Sequence, residues 1–272
     1  MELLAQQKAD FLETLWDFYA HNQRATLPWR QPDRGGQFNP YNIMVSEIML
    51  QQTQVARVIP KYQAFQAQFP DIQSLAETEL SDVLRAWQGL GYNRRAKFLW
   101  QAAQVVSMQG AFPDTESELV KLPGIGVNTA GAILAYAYNK PALFIETNVR
   151  TVYIHHFFAD RSDVHDKEIK ACLEQTIDHE QPREFYWALM DYGSYLKSTM
   201  GNLNVASKHY AKQSTFVGSR RQIRGQILRL LGDGPLSLVD LRKDISDERL
   251  KGVLDDLIHE GLIRQDRSGY SL

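Results

Sequence analysis

A mainly α fold that ends in a small α+β module is predicted by three observations. Apolar residues recur at helical spacing almost everywhere up to about Lys197. Period-two alternation is essentially absent from that stretch, so it carries no sheet. From Ser214 onward the pattern shortens to three brief helices and a closing hairpin, the layout of a winged helix-turn-helix.

Residues 3–21 read as one amphipathic helix with Leu12, Leu15, Trp16 and Tyr19 on its buried face. Asn39-Pro40-Tyr41 opens a second helix that carries residues 43–55. The same apolar period predicts helices at 59–69, 80–87, 94–108, 116–122 and 127–138, then at 148–158, 166–177 and 184–197. In the last segment, helices are expected at 220–231, 236–244 and 247–260, with Gly232-Asp233-Gly234-Pro235 separating the first two. A hairpin follows, formed by residues 262–265, a turn at Ser268-Gly269 and residues 270–272.

The most informative stretch is Leu122-Pro123-Gly124-Ile125-Gly126-Val127-Asn128-Thr129. A helix stops at Leu122, a glycine hairpin follows, and a second helix opens near Val127. Gly124 and Gly126 can take the positive φ that a tight hairpin requires, and without a Cβ they let another backbone come close. The free amides of the new first turn, from Val127 to Thr129, then point outward at a positive dipole end that suits a phosphate oxygen. Such a helix-hairpin-helix grips a nucleic-acid backbone without reading sequence. An ordinary helix–glycine–helix turn is the plainer alternative.

Composition sets bounds on the rest. At 272 residues and 44% hydrophobic content, the chain has material for two or three cores. No apolar run reaches the length of a membrane span, and the N-terminus lacks the pattern of a secretory signal. Cys172 is the single cysteine, which excludes an internal disulfide and any four-thiolate metal site. A reducing cytoplasm is the expected location. With a net charge of −2, affinity for nucleic acid has to come from local patches. One such patch runs from Lys197 to Arg229, where Lys197, Lys208, Lys212, Arg220, Arg221, Arg224 and Arg229 occur with no Asp or Glu. It reads as a strip lying along DNA, with a solvated linker as the alternative. From Ser214 onward ten Lys or Arg face nine Asp or Glu, so the C-terminal module reads equally as a DNA, protein or packing element.

Two acids stand out. Glu47 lies in an apolar helical segment between Val45 and Ile48, where a carboxylate is expensive unless it faces a solvated cleft or takes part in a reaction. Glu146, in Phe144-Ile145-Glu146-Thr147-Asn148, comes directly before a helix. Taken alone, Glu47 reads as a surface glutamate and Glu146 as an acid favouring the helix dipole. His155-His156 and His165 read as surface or packing residues, since adjacent helical positions face different ways. No metal site is expected. Neither a Walker-type phosphate loop nor a Rossmann fingerprint is present.

Together, Leu27-Pro28-Trp29-Arg30, Pro40-Tyr41, Ser46 to Val55, Gly89-Leu90-Gly91-Tyr92 and the hairpin at Leu122 resemble the MutY-type adenine DNA glycosylases. These belong to the helix-hairpin-helix superfamily that also holds endonuclease III. The resemblance runs from about Leu27 to Gly193. It implies a two-lobed glycosylase core over residues 1–213, with a six-helix lobe at about 27–137. The second lobe comprises the N-terminal helix and about 138–213. The winged-helix-like domain occupies 214–272.

The same resemblance assigns roles. One nucleotide of duplex DNA bearing a mismatch or lesion is flipped into a cleft. Glu47 matches the general acid that protonates the leaving purine, and Glu146 stands where the family has a sugar-stabilising aspartate. Asn148 matches the neighbouring asparagine that orders the site and its water. Arg30 matches a pocket arginine beside the extruded base, and Gln52 and Tyr92 match residues that fill the emptied stack. Asn128 occupies the position at which strand-cutting relatives carry a Schiff-base lysine, so base release without strand cleavage is expected. A monovalent cation sits on hairpin carbonyls in relatives. The protein is expected to act as a monomer.

Three departures accompany the likeness. Glu146 is one methylene longer than the family aspartate. The family's iron–sulfur cluster uses four cysteines whose positions fall here at Lys197, Asn204, Ser207 and Gln213, so no cluster is expected. Lys208, Lys212, Arg220 and Arg221 are expected to replace the DNA grip of that loop. The winged-helix-like segment stands where the family has a Nudix-like domain that recognises 8-oxoguanine. Two other readings stay open: a glycosylase for thymine or uracil in a mismatch, and a non-catalytic DNA-binding or regulatory protein on the same scaffold.

Overall fold

The computed structural model describes residues 2–212 and 215–272. In chain order its first helices are α1 (Ala5–Asn22), α2 (Pro40–Leu50), α3 (Val55–Gln68), α4 (Ile72–Glu77), α5 (Leu80–Ala86), α6 (Arg94–Gln109) and α7 (Glu116–Leu119). They continue as α8 (Val127–Tyr138), α9 (Thr147–Phe157), α10 (Asp166–Thr176), α11 (Pro182–Met200), α12 (Arg220–Gly232), α13 (Leu238–Asp244) and α14 (Leu250–His259). An antiparallel ribbon of β1 (Arg264–Asp266) and β2 (Gly269–Ser271) follows. The chain forms two compact units, whose described residues are 2–44, 114–121 and 125–212 in the first and 45–113, 122–124 and 215–272 in the second.

In the first unit α9 packs along α11, and α1 lies on α11 as well. Phe11, Leu15, Phe144, Tyr153 and Tyr186 are fully buried there. The Phe144 and Tyr186 rings stack at 3.9 Å, and the Tyr186 hydroxyl donates to the Ala142 carbonyl at 2.6 Å. The close approach of α9 and α11 depends on Gly193. A Cβ there would sit 2.6 Å from the Asn148 carbonyl oxygen.

In the second unit α4 packs on α6 around Phe65, Leu75, Trp87 and Leu99. Residues 215–272, expected as a domain of their own, share this unit with residues 45–113. The physical reason is that α12 packs against both α5 and α14. Arg85 Nε also donates to the Gly232 carbonyl at 3.0 Å, and Lys97 Nζ to that of Glu260 at 2.6 Å. The three helices and the ribbon appear in the expected order, and Leu236 bridges Tyr270 beside the ribbon.

Some boundaries differ from expectation. The helix expected over 43–55 stops at Leu50, because the chain turns left-handed at Gln52 (φ +54°) before α3 begins. The helix expected to run to Leu122 ends at Leu119, since a residue before proline is pushed out of the helical region and Leu122 precedes Pro123. Helix α4 was missed: six residues are too few for a period, though Asp71 caps it by accepting from the Ser74 amide at 2.8 Å.

Candidate active site

The first unit gathers Glu146, Asn148 and Asn128. Glu146 is the N-cap of α9, with extended backbone and no capping bond from its side chain. Asn128, in the first turn of α8, donates from Nδ2 to the Ile145 carbonyl at 3.1 Å and accepts from the Ile145 amide at 3.3 Å. One carboxamide thus fixes both backbone groups of the residue before Glu146. Asn148 Nδ2 lies 3.7 Å from Met190 Sδ. A helix N-terminus favours a charged carboxylate, but burial prevails and pushes the Glu146 carboxyl up to about 7.

Arg30, matched by the resemblance to a pocket arginine, is bonded to Asp191. Its terminal nitrogens donate to both oxygens of Asp191, at 2.8 and 2.9 Å, and its guanidinium lies 5.1 Å from the Trp187 ring centre. Arg24 Nε joins the same carboxylate at 2.6 Å. Arg30 is therefore first a structural partner of Asp191, and its buried Nε has no hydrogen-bond partner. Sequence reading missed Asp191. Its signal was the one that singled out Glu47, an acid directly after the apolar run Trp187-Ala188-Leu189-Met190 and before Tyr192.

The second unit holds Glu47, Gln52 and Tyr92. Glu47 is half-buried on α2 between the buried Ser46 and Ile48. Beyond it, Arg95 is the hub. Its guanidinium donates to the carbonyls of Ile48 and Gln51, both at 2.6 Å, and to those of Leu90 at 3.2 Å and Gly91 at 3.0 Å. It thereby caps the end of α2 and ties the Gln52 turn to the Tyr92 loop. Burial lowers its pKa to about 10. Nothing in the sequence distinguishes Arg95 from its neighbour Arg94.

At the hairpin, Gly124 has φ +76°, and a Cβ there would meet the Phe98 Cβ at 2.6 Å, so conformation and space both require glycine. Gly126 differs from expectation: with φ −90° it is the extended N-cap of α8 and has open space around it. Val127 is exposed and Thr129 half-buried in the first turn of α8.

Two arginines of the expected basic strip are neutralised from within. Arg220 pairs with Asp256 and Arg224 with Glu260, both acids standing on or beside α14. Arg221 Nη1 donates to the Tyr92 hydroxyl at 2.8 Å. Lys197, Lys208, Lys212 and Arg229 remain exposed.

The positions that match the cluster cysteines do not fit an iron–sulfur group. Lys197 offers an amine on the surface, and Gln213 lies outside the described residues. Asn204 is buried and donates to Thr151 Oγ1 at 2.7 Å, while Ser207 bridges Val164 and accepts from the His209 amide. His156 packs on Phe11 and meets the Tyr192 hydroxyl at 3.2 Å, and burial lowers its pKa to about 4. Among the described residues no group of three His, Cys, Asp or Glu is arranged to hold a metal. A cavity of about 470 Å³ in the first unit, lined by Val127, Leu143, Lys170, Glu174, Ile177 and His179 among others, contains neither candidate acid.

Comparison with known proteins shows the family. Residues 45–178 match the HhH-GPD superfamily of base excision DNA repair proteins. A solved non-covalent endonuclease III–DNA complex shares the fold with a TM-score of 0.60 at 20% identity, over 73% of this chain and 90% of that one. The adenine DNA glycosylase of Mycolicibacterium smegmatis is 32% identical over 94% of this chain and 93% of its own length. That of Buchnera aphidicola subsp. Baizongia pistaciae is 38% identical over 68% of this chain. The chain spans about half of that relative's length, 52%. It belongs to the adenine DNA glycosylase family.

Proposed function

We propose that this chain is a monofunctional DNA glycosylase that hydrolyses the N-glycosidic bond of a mispaired or damaged nucleoside and releases adenine. The observation that carries the reading is the half-buried Glu146 carboxyl, pushed up to about 7, on a backbone that Asn128 clamps from both sides. Breaking the bond builds positive charge on the sugar. A carboxylate about 4 Å from that charge, at an effective dielectric near 20, contributes on the order of 4 kcal/mol. Glu146 supplies it in its ionised form.

Glu47 protonates a ring nitrogen of the departing base, so that the bonding pair leaves on a neutral group. Positioned proton transfer of this kind is worth roughly 10²–10⁴ in rate. Water supplies hydroxide to the sugar carbon while its remaining proton returns to the Glu47 carboxylate, and Asn148 orders that water. Asn128 has no amine to attack the sugar, so the product is an abasic site in an intact strand. The partner is duplex DNA containing a mismatch or lesion, gripped by backbone amides at the head of α8 and by Lys208 and Lys212. The protein acts as a monomer in the cytoplasm, where the DNA lies, and without an iron–sulfur cluster.

The test uses duplexes bearing adenine opposite 8-oxoguanine, guanine or cytosine, together with mismatched thymine and uracil, scored for alkali-labile sites. Wild-type protein should release adenine, and Glu47→Gln should lose release by at least about 100-fold while keeping duplex affinity. Release of thymine or uracil alone would overturn the choice of base. Release from none of the duplexes would favour a DNA-binding protein without catalysis. Strand cleavage trapped by borohydride would contradict the monofunctional assignment.

A further inference from the structure

Among the described residues, four non-glycine residues have positive φ: Gln52, Tyr92, Asn139 and Asp163. Asparagine and aspartate tolerate that conformation, whereas an aromatic side chain adopts it only where its surroundings impose it. Tyr92 (φ +47°) is nonetheless 39% exposed. Two guanidiniums lie over its ring, that of Arg95 5.5 Å from its centre and that of Arg221 5.7 Å. Arg221, on α12, also bonds the Tyr92 hydroxyl at 2.8 Å. Arg95 holds the backbone just before it through the Leu90 and Gly91 carbonyls. An exposed aromatic ring kept in a strained conformation by two arginines is built as a rigid wedge, the kind of side chain that enters a base stack.

We propose that Arg221 is a positioning residue for Tyr92, and that the C-terminal segment serves the site as a buttress for this wedge. The inference rests on the glycosylase reading for the wedge's target, but the buttress itself is a property of the second unit. Three further contacts hold α12 where the wedge needs it. Arg224 and Arg220 pair with α14-side acids, and Arg85 bonds the carbonyl at the end of α12. The acids of α14 thus have a use that phosphate binding does not give them: they fix the helix that carries Arg221.

The test measures binding to a duplex with a tetrahydrofuran abasic-site analogue opposite guanine, where a wedge fills the gap. Arg221→Gln should weaken binding about tenfold, because the wedge loses the charged hydrogen bond and the cation–π contact that hold it in place. In a Tyr92→Ala background the same substitution should change affinity less than about twofold. The slope of affinity against salt should stay unchanged. Tyr92→Phe, which removes only the hydroxyl, should cost about threefold and covers the case in which the Arg221 variant folds poorly. In the free protein, amide exchange at residues 90–93 should quicken about tenfold in Arg221→Gln.

An equal loss in both backgrounds, or a salt slope reduced by about one, would make Arg221 a direct phosphate contact and overturn the proposal. Unchanged exchange at residues 90–93 would also overturn it. Neither binding nor exchange requires bond cleavage. A protein that released no base from any duplex would therefore sink the glycosylase reading and leave this test standing.

Discussion

The head of α9 and the paired turns at Gln52 and Tyr92 each hold side chains in a costly state, by opposite means. At α9 the backbone is ordinary: Glu146 is extended and Asn128 satisfies both polar groups of Ile145. The cost there is electrostatic, carried by a carboxyl pushed up to about 7. At the turns the charge is well placed, since Arg95 serves the carbonyls of Ile48, Gln51, Leu90 and Gly91. The cost there is conformational, carried by φ of +54° at Gln52 and +47° at Tyr92. A group that must meet a developing charge is kept electrostatically uneasy, whereas a group that must fill space is kept stiff.

The largest effect that separates the two regions is expected from Glu146→Gln. Base release should fall at least about 100-fold, because the neutral amide cannot face a sugar cation. Its effect on stability has a definite sign. In wild-type protein the native carboxyl keeps its proton between its ordinary value of 4.5 and about 7, so stability falls as pH rises through that window. Glu146→Gln should abolish the fall. The opposite trend from His156, whose native pKa near 4 lies below its ordinary 6.5, should remain as a rise in stability over that interval. Wild-type release should itself increase with pH up to about 7 as the carboxyl ionises. Urea unfolding at pH 5, 6 and 8, with release rates at the same values, checks each part. A stability profile that Glu146→Gln leaves unchanged would remove the electrostatic half of the comparison.

Arg95→Ala tests the other half with an effect on stability. It strips the donor from five backbone carbonyls, that of Met49 at 3.2 Å among them, and from Thr53 Oγ1, at 3.3 Å. Orphaned buried acceptors at this density should cost about 3 kcal/mol in unfolding free energy. Arg95→Lys should recover only part of it, because an ammonium point charge cannot span acceptors that a planar fork reaches together. The same unfolding measurement reads both variants. A loss below about 1 kcal/mol would show that the turns hold their shape without the hub.

The two regions also differ in how legible they were in the sequence. The helices, the hairpin and the C-terminal order of three helices and a ribbon follow from apolar period and turn residues, and those signals are local. Glu146 and Asn148 were found through motif likeness, and Gly124 through turn chemistry. Arg95, Asp191 and Arg221 act across 47, 167 and 129 positions of sequence at their most distant partners. A long-range side-chain bond leaves no periodic trace. Arg30 shows the converse, since the motif fixed its position while Asp191 fixed its bonds. Arg220 and Arg224 in the basic strip show the same thing, because the acids that pair with them lie on or beside another helix.

The smallest expected effect isolates backbone strain from everything else at Gln52. Alanine and glycine there both remove the side chain, but only glycine takes positive φ without penalty. Gln52→Gly should therefore be more stable than Gln52→Ala by about 1 kcal/mol, even though glycine's freer unfolded chain opposes the gain. Both variants should bind the abasic-site duplex equally weakly, since both lack the side chain that fills the gap. The sign of the glycine–alanine difference in urea unfolding decides the matter. At an unstrained position alanine wins, so an alanine variant more stable than the glycine one would mean that the turn relaxes and that stiffness is not what Arg95 supplies.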